Sequence, residues 1–140
     1  MTVIVVGIAG ESYAVPMSDV REVVTDPLLT PLPGAPDAVV GLVNIRGEVI
    51  PVVDGHALVG AVRHNGRHDR PSAVVVDTRL GAVAIVFDGV AGTAELQELI
   101  QPSERPACRG VYGTGSGITA LLHLEAALAR VGLLLPEDAG

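Results

Sequence analysis

The sequence contains no lysine and no tryptophan, and its only aromatic side chains are Tyr13, Phe87 and Tyr112. Without lysine there is no P-loop lysine, no Schiff-base chemistry and no lysine general base. Cys108 is the only cysteine, so neither an internal disulfide nor a cysteine-based zinc site is available. Basic charge is scarce as well. Nine arginines face 16 acidic residues, a net charge of −7. Such a chain lacks both the phosphate-binding charge and the stacking platforms that nucleic-acid binding uses. No apolar run approaches the ~18 residues of a membrane span. The short run Val3 to Val6 has no basic flank and no small-residue cleavage signal. A soluble, cytoplasmic protein with no membrane insertion is expected.

What is present is aliphatic. Hydrophobic residues make up 49% of the 140 positions, enough for one domain spanning 1–140. Valine and glycine favour strands and turns over long helices, so the class reads as mainly β.

Taken in order, Val3 to Ile8 and Tyr13 to Val15 read as a strand pair that Pro16 ends, because proline has no N–H to donate. Ser18 is a plausible N-cap with Asp19 in the first turn. Val20, Val23 and Val24 at i, i+3 and i+4 predict a short helix with Glu22 pointing elsewhere. Pro27, Pro31, Pro33 and Pro36 stiffen the next loop. Pro36 suits the start of a helical turn over Asp37 to Val40 that Gly41 terminates. Gly55 to Gly60 fits one helical turn, and residues 61–71 read as a solvated loop. Ser72 to Asp77 and Ala82 to Asp88 are two further strands. Ala94 to Ile100 fits a helical turn or an irregular strand. Cys108 to Tyr112 and Ile118 to Leu122 pair across a glycine-rich turn, and Leu124 to Arg130 closes the chain as a helix. Each half runs strand pair, helix, strand, which permits two small barrels sharing one core.

Catalytic and metal motifs do not assemble. His64 and His68 are four apart, but Asn65 and Gly66 between them disfavour the helix that would align them, and no third ligand is in evidence. His56 and His123 stand at element ends, as hydrogen-bonded structural histidines do. Gly113 to Gly117 matches no phosphate loop and leads into a strand, so it reads as a hairpin turn. Cys108 reads as a small buried residue. Asp54, Asp77 and Asp88 each end a strand, where turn chemistry also places aspartate, and no histidine stands at a defined spacing. No catalytic residue, metal site or cofactor is expected.

The most informative stretch is Gly41 to Asp54. Two apolar runs flank Arg46-Gly47-Glu48, and a glycine followed by any residue suits a type II′ hairpin turn with positive φ at Gly47. Arg46 interrupts the apolar pattern with a permanent charge and five donors. Glu22 is the natural partner, on an element whose other face is apolar. If the pair is buried, removing one member costs ~3–5 kcal/mol. Two roles stay open here: a pin between elements, or the rim of a groove that receives a partner.

Pro33-Gly34-Ala35-Pro36, Gly41-Leu42-Val43-Asn44-Ile45-Arg46-Gly47 and Val49-Ile50-Pro51-Val52-Val53-Asp54 together resemble the signature of CheW-like domains. Tyr13 to Pro16, Val20 to Val23, Val86 to Val90 and Leu121 to Glu125 extend the resemblance over nearly the whole chain. The resemblance implies two interlocked five-stranded SH3-like β-barrels with short helices. It also implies a non-catalytic adaptor joining a CheA-type histidine kinase regulatory domain to the cytoplasmic tip of methyl-accepting chemoreceptors. By position, Val20, Glu22, Val23, Arg46 and Gly47 correspond to the receptor groove, and Gly41, Asn44, Pro51 and Asp54 to the structural signature. The chain departs from the pattern where Gly55-His56 replaces Asp-Leu and where His123, Thr93 and Ala73 stand.

Overall fold

The computed structural model describes residues 1–61, 71–105 and 107–133. The expected loop 61–71, with His64 and His68, lies almost wholly outside them. The strands are β1 (Thr2–Ile8), β2 (Glu11–Pro16), β3 (Val20–Thr25), β4 (Val39–Ile45), β5 (Glu48–Asp54), β6 (Ser72–Thr78), β7 (Gly81–Phe87), β8 (Gly89–Glu95), β9 (Leu99–Pro102), β10 (Cys108–Thr114) and β11 (Gly117–Leu122). Two short helices, α1 (Gly55–Val59) and α2 (Leu124–Arg130), complete the chain, with a 3₁₀ turn at Met17–Asp19.

The class is mainly β, as expected, but the sheets differ from two five-stranded barrels. One sheet has six strands in the order β8-β1-β2-β11-β10-β9, and the other five in the order β3-β6-β7-β5-β4. Neither closes into a barrel among the described residues. In the larger sheet the two outer strands, β8 and β9, are consecutive in sequence, so the sheet must curl to bring them together. The linker closes the gap instead of a β8–β9 ladder: Leu96 N–H donates to Met1 O at 2.9 Å and Gln97 N–H to Gly113 O at 2.8 Å.

Alternation explains how so few aromatics fill the interior. Successive strand residues face opposite sides, and β6 and β7 are apolar on both. Val74, Val76, Val83, Ile85 and Phe87 join one buried cluster, while Ala73, Val75, Ala84 and Val86 join another. The first cluster is shared: it also takes Ile4, Val6 and Ile8 from β1, Tyr13 and Val15 from β2, and Leu58 and Leu128 from the two helices. A third cluster around Val3, Ala14 and Leu121 fills the inside of the six-stranded sheet. One common core with a smaller core inside each sheet is thus the arrangement the chain's two similar halves permitted.

Several local expectations hold. α2 spans Leu124–Arg130 and buries Leu124, Ala127 and Leu128. Asp54 caps α1, its Oδ1 accepting from His56 N–H at 3.1 Å. Gly55 departs from the family pattern for a steric reason: a β carbon there would stand 2.6 Å from Val86 O and 3.0 Å from the Phe87 ring. The open segment 94–100 resolves into the end of β8 and the start of β9.

Three expectations fail. Val20 to Val24 is a strand, not a helix: β3 pairs antiparallel with β6, from Val20↔Val76 to Thr25↔Ser72. Its β-branched residues suit a pleated, half-buried surface better than a helix. The 3₁₀ turn before it carries no side-chain cap, so Ser18 does not serve as one. Asp37 to Val40 does not form a helical turn; Val39 N–H bonds Pro36 O at 2.9 Å and β4 starts at Val39.

Candidate functional site

The strand order leaves β3 and β4 at opposite edges of the five-stranded sheet. Side chains join them. Arg46 Nη2 donates to Glu22 Oε2 at 3.4 Å, so the pairing expected from sequence is present. Its setting is not the buried one expected. Arg46 lies in the tight turn between β4 and β5, and its side chain is 84% exposed against 25% for Glu22. An ion pair that open to water contributes at most about 1 kcal/mol, well below the cost of breaking a buried pair.

The turn itself also differs. Both Arg46 (φ 54°) and Gly47 (φ 86°) have positive φ, which defines a type I′ hairpin over Arg46-Gly47 rather than a II′ turn starting at Gly47. Gly47 has the positive φ expected of it. Among the described residues Arg46 is one of three non-glycine residues with positive φ, beside Ala9 and Asp26, a conformation that disfavours L side chains by ~1–2 kcal/mol. Asn44 helps hold it: its Oδ1 accepts from Gly47 N–H at 3.0 Å across the turn.

The other signature residues, Gly41, Pro51 and Asp54, lie away from the turn. Gly41 is buried where Thr30 and Leu42 exchange backbone hydrogen bonds of 2.8 and 2.7 Å. A β carbon on Gly41 would lie 2.6 Å from Thr30 O, so only glycine lets that loop lie along β4. Pro51 falls one residue before the β5–β7 ladder, which begins at Val52. Asp54 is the α1 cap already described.

Of the remaining groove candidates, Val20 packs against the shared core, while its neighbour Val24 packs against the cluster inside the five-stranded sheet. Val23 is exposed. The three valines therefore do not share one face: Val23 and Val24 alternate as strand neighbours, and a bulge between Val20 and Glu22 turns Val20 and Val24 to opposite sides.

Sequence reading missed Arg21. Its Nη1 donates to Glu48 Oε1 at 2.9 Å and its Nη2 to Asp77 Oδ1 at 2.6 Å. Those bonds, Asp77 first and Glu48 second, raise the guanidinium pKa further above its ordinary value. Asp77 also lines a cleft of about 480 Å³, together with Pro16, Asp19, Tyr112, Leu121 and His123. This cleft lies just before the start of β3, at Asp19, and contains neither Glu22 nor Arg46.

The three strand-end aspartates have separate tasks. Asp77 binds Arg21, Asp54 caps α1, and Asp88 Oδ1 lies 2.8 Å from His56 Nε2 while its Oδ2 accepts from Ala9 N–H. His56 is thus a hydrogen-bonded structural histidine, as its place at an element end suggested. Among the described residues no group of three His, Cys, Asp or Glu side chains is placed to hold a metal. No helix among them is long and apolar enough to cross a membrane.

Known proteins are similar to this chain. The chain is 28% identical to a probable chemotaxis protein CheW of Rhizobium etli over 127 residues, 85% of this chain and 81% of that protein. It is 29% identical to the chemotaxis protein CheW of Rhizobium meliloti over 128 residues, covering 84% and 81%. It is 34% identical to the protein PilI of Pseudomonas aeruginosa over 111 residues, covering 74% and 62%. The crystal structure of the scaffolding protein TtCheW from Thermoanaerobacter tengcongensis superposes with a TM-score of 0.74 at 22% identity, covering 86% of this chain and 87% of that one. Residues 2–131 match the CheW-like domain, so the chain belongs to the CheW-like domain family.

Proposed function

We propose that this chain is a cytoplasmic adaptor that couples the cytoplasmic tip of a methyl-accepting chemoreceptor to the regulatory domain of a CheA-type histidine kinase. Family membership and two relatives named as chemotaxis proteins support the pathway. The observation that carries the receptor-facing role is Arg46: a permanent cation, 84% exposed, held in a disfavoured backbone conformation at a hairpin tip and steered by Glu22. A residue with only a structural task would not need to be arginine in a turn that asparagine or glycine fills at lower cost.

A receptor helix lying beside β3 and the Arg46 turn binds in the helix-in-groove manner. A second face holds the kinase domain, and carrying both partners on one rigid body raises their effective concentration and couples their states. Co-sedimentation with receptor-containing membranes tests the reading. Arg46→Glu is expected to abolish receptor capture while the kinase regulatory domain still binds. A folded variant that captures receptor as wild type does removes Arg46 from the contact.

The 34% identity to PilI supports a second reading, the same scaffold serving another signalling pathway with different partners. Pull-down with a CheA-type kinase regulatory domain and a methyl-accepting receptor tip separates the two.

A further inference from the structure

We infer that Arg21 is the positioning residue of the Arg46 turn, locking the hairpin tip to β3 and to the rim of the neighbouring cleft. Consecutive residues of a regular strand point to opposite faces, yet Arg21 and Glu22 both reach the same hairpin, to Glu48 and Arg46 respectively. A bulge makes this geometry available. Pairing between β3 and β6 passes from Val20↔Val76 to Glu22↔Val75, leaving Arg21 as the extra residue. A bulge of this kind re-aims a side chain.

The two ion pairs are reciprocal. Positive Arg21 and negative Glu22 on β3 meet negative Glu48 and positive Arg46 on the β4–β5 hairpin, across an edge that no strand ladder spans. Shifting the hairpin by two residues would set Glu48 against Glu22, like charge against like. The two pairs therefore fix the register of the tip as well as its distance.

They differ in strength. Arg46 reaches Glu22 through one nitrogen at 3.4 Å, whereas Arg21 makes contacts of 2.9 and 2.6 Å through both terminal nitrogens. Arg21 is the better-held of the two, and its planar fork suits two carboxylates at once in a way a lysine ammonium does not. Its second carboxylate, Asp77, belongs to the cleft wall. One guanidinium thus sets both the tip that carries Arg46 and the lip of the cleft.

The consequence for partner binding rests on the adaptor reading above, and the consequence for the turn does not. Arg21→Gln removes the charge and the terminal nitrogens that reach Glu48 and Asp77, and keeps a polar side chain. Backbone amide spectra should show resonances of residues 46–49 shifted and their order reduced, with the rest of the fold unchanged. Unmoved, equally ordered amides at 46–49 would overturn the inference. For binding, Arg21→Gln and Glu48→Gln are expected each to weaken binding of a receptor-tip fragment by about two- to fivefold, from the size of exposed ion pairs. The double variant should be no weaker than Arg21→Gln alone, because that change already breaks the Glu48 contact. Independent, multiplying losses would overturn the inference equally. If the wild-type chain captures no receptor fragment, the adaptor reading falls and the amide spectra still decide the positioning role.

Discussion

Glu22 lies on β3, one edge of the five-stranded sheet, and Arg46 in the turn that follows β4, the other edge, and a 3.4 Å hydrogen bond joins them where no strand ladder does. The pair closes the sheet chemically at a point where it stays open in backbone terms. Because Arg46 is mostly in water, the energy of this closure is small and its directional effect is the larger part. That combination leads to separable outcomes for folding and for binding.

Arg46→Glu should leave the fold intact. Loss of an exposed pair, with a repulsive contact to Glu22 in its place, is expected to lower stability by no more than about 1 kcal/mol. Urea denaturation checks this. A loss of several kcal/mol would show that Arg46 pins the fold and is not chiefly a surface contact.

Gly41→Ala should do far more damage than its surroundings on β4 suggest. The added methyl meets Thr30 O at 2.6 Å, backbone against side chain, so the loop before β4 must move. Overpacking of this kind costs about 1–3 kcal/mol. A wild-type denaturation midpoint would mean the loop yields freely.

In the shared core, Phe87→Ala removes a ring with no exposed surface. About 3–5 kcal/mol should be lost, a large share of the stability of a domain this size. Val49→Ala, at a side chain that is 60% exposed, should change stability by less than about 0.5 kcal/mol. Thermal unfolding of the two variants side by side provides the comparison, and equal shifts would contradict the core assignment.

Cys108 is 8% exposed, and its burial, the largest influence, pushes the thiol pKa up from its ordinary value. The thiolate is the reactive form, so alkylation near neutral pH should be much slower than in the unfolded chain, and its rate should rise only at distinctly alkaline pH. The sign for stability follows. Above the unfolded thiol's pKa the unfolded chain has released its proton while the native one keeps it, so stability falls as pH rises there. Fast labelling of the native protein at pH 7 would place the thiol at the surface.

Much of this was legible in the sequence, for identifiable physical reasons. α2 shows a clear helical period, and β6 and β7 are apolar runs too short for anything but strands buried on both sides. β3 was misread because Val20, Val23 and Val24 satisfy a helical spacing, while the bulge at Arg21 breaks the alternation that marks a strand. The hairpin was found but its turn was misplaced, since Arg-Gly lacks the asparagine that announces a type I′ turn. Glu22 and Arg46 could be matched because each stood out from an apolar background. Arg21 could not: its partners lie 27 and 56 residues away, and the geometry that gathers them depends on the bulge.

The most direct test of the receptor-facing role is Arg46→Asn. Asparagine followed by Gly47 is a favoured type I′ turn, so this change keeps the hairpin while removing the guanidinium. Receptor-tip binding should be measured by titration, with thermal unfolding alongside. Binding lost with an unfolding temperature equal to or above wild type is the expected result. Binding at wild-type affinity by this well-folded variant would contradict it, and would leave Arg46 as a turn residue whose charge the partner does not read.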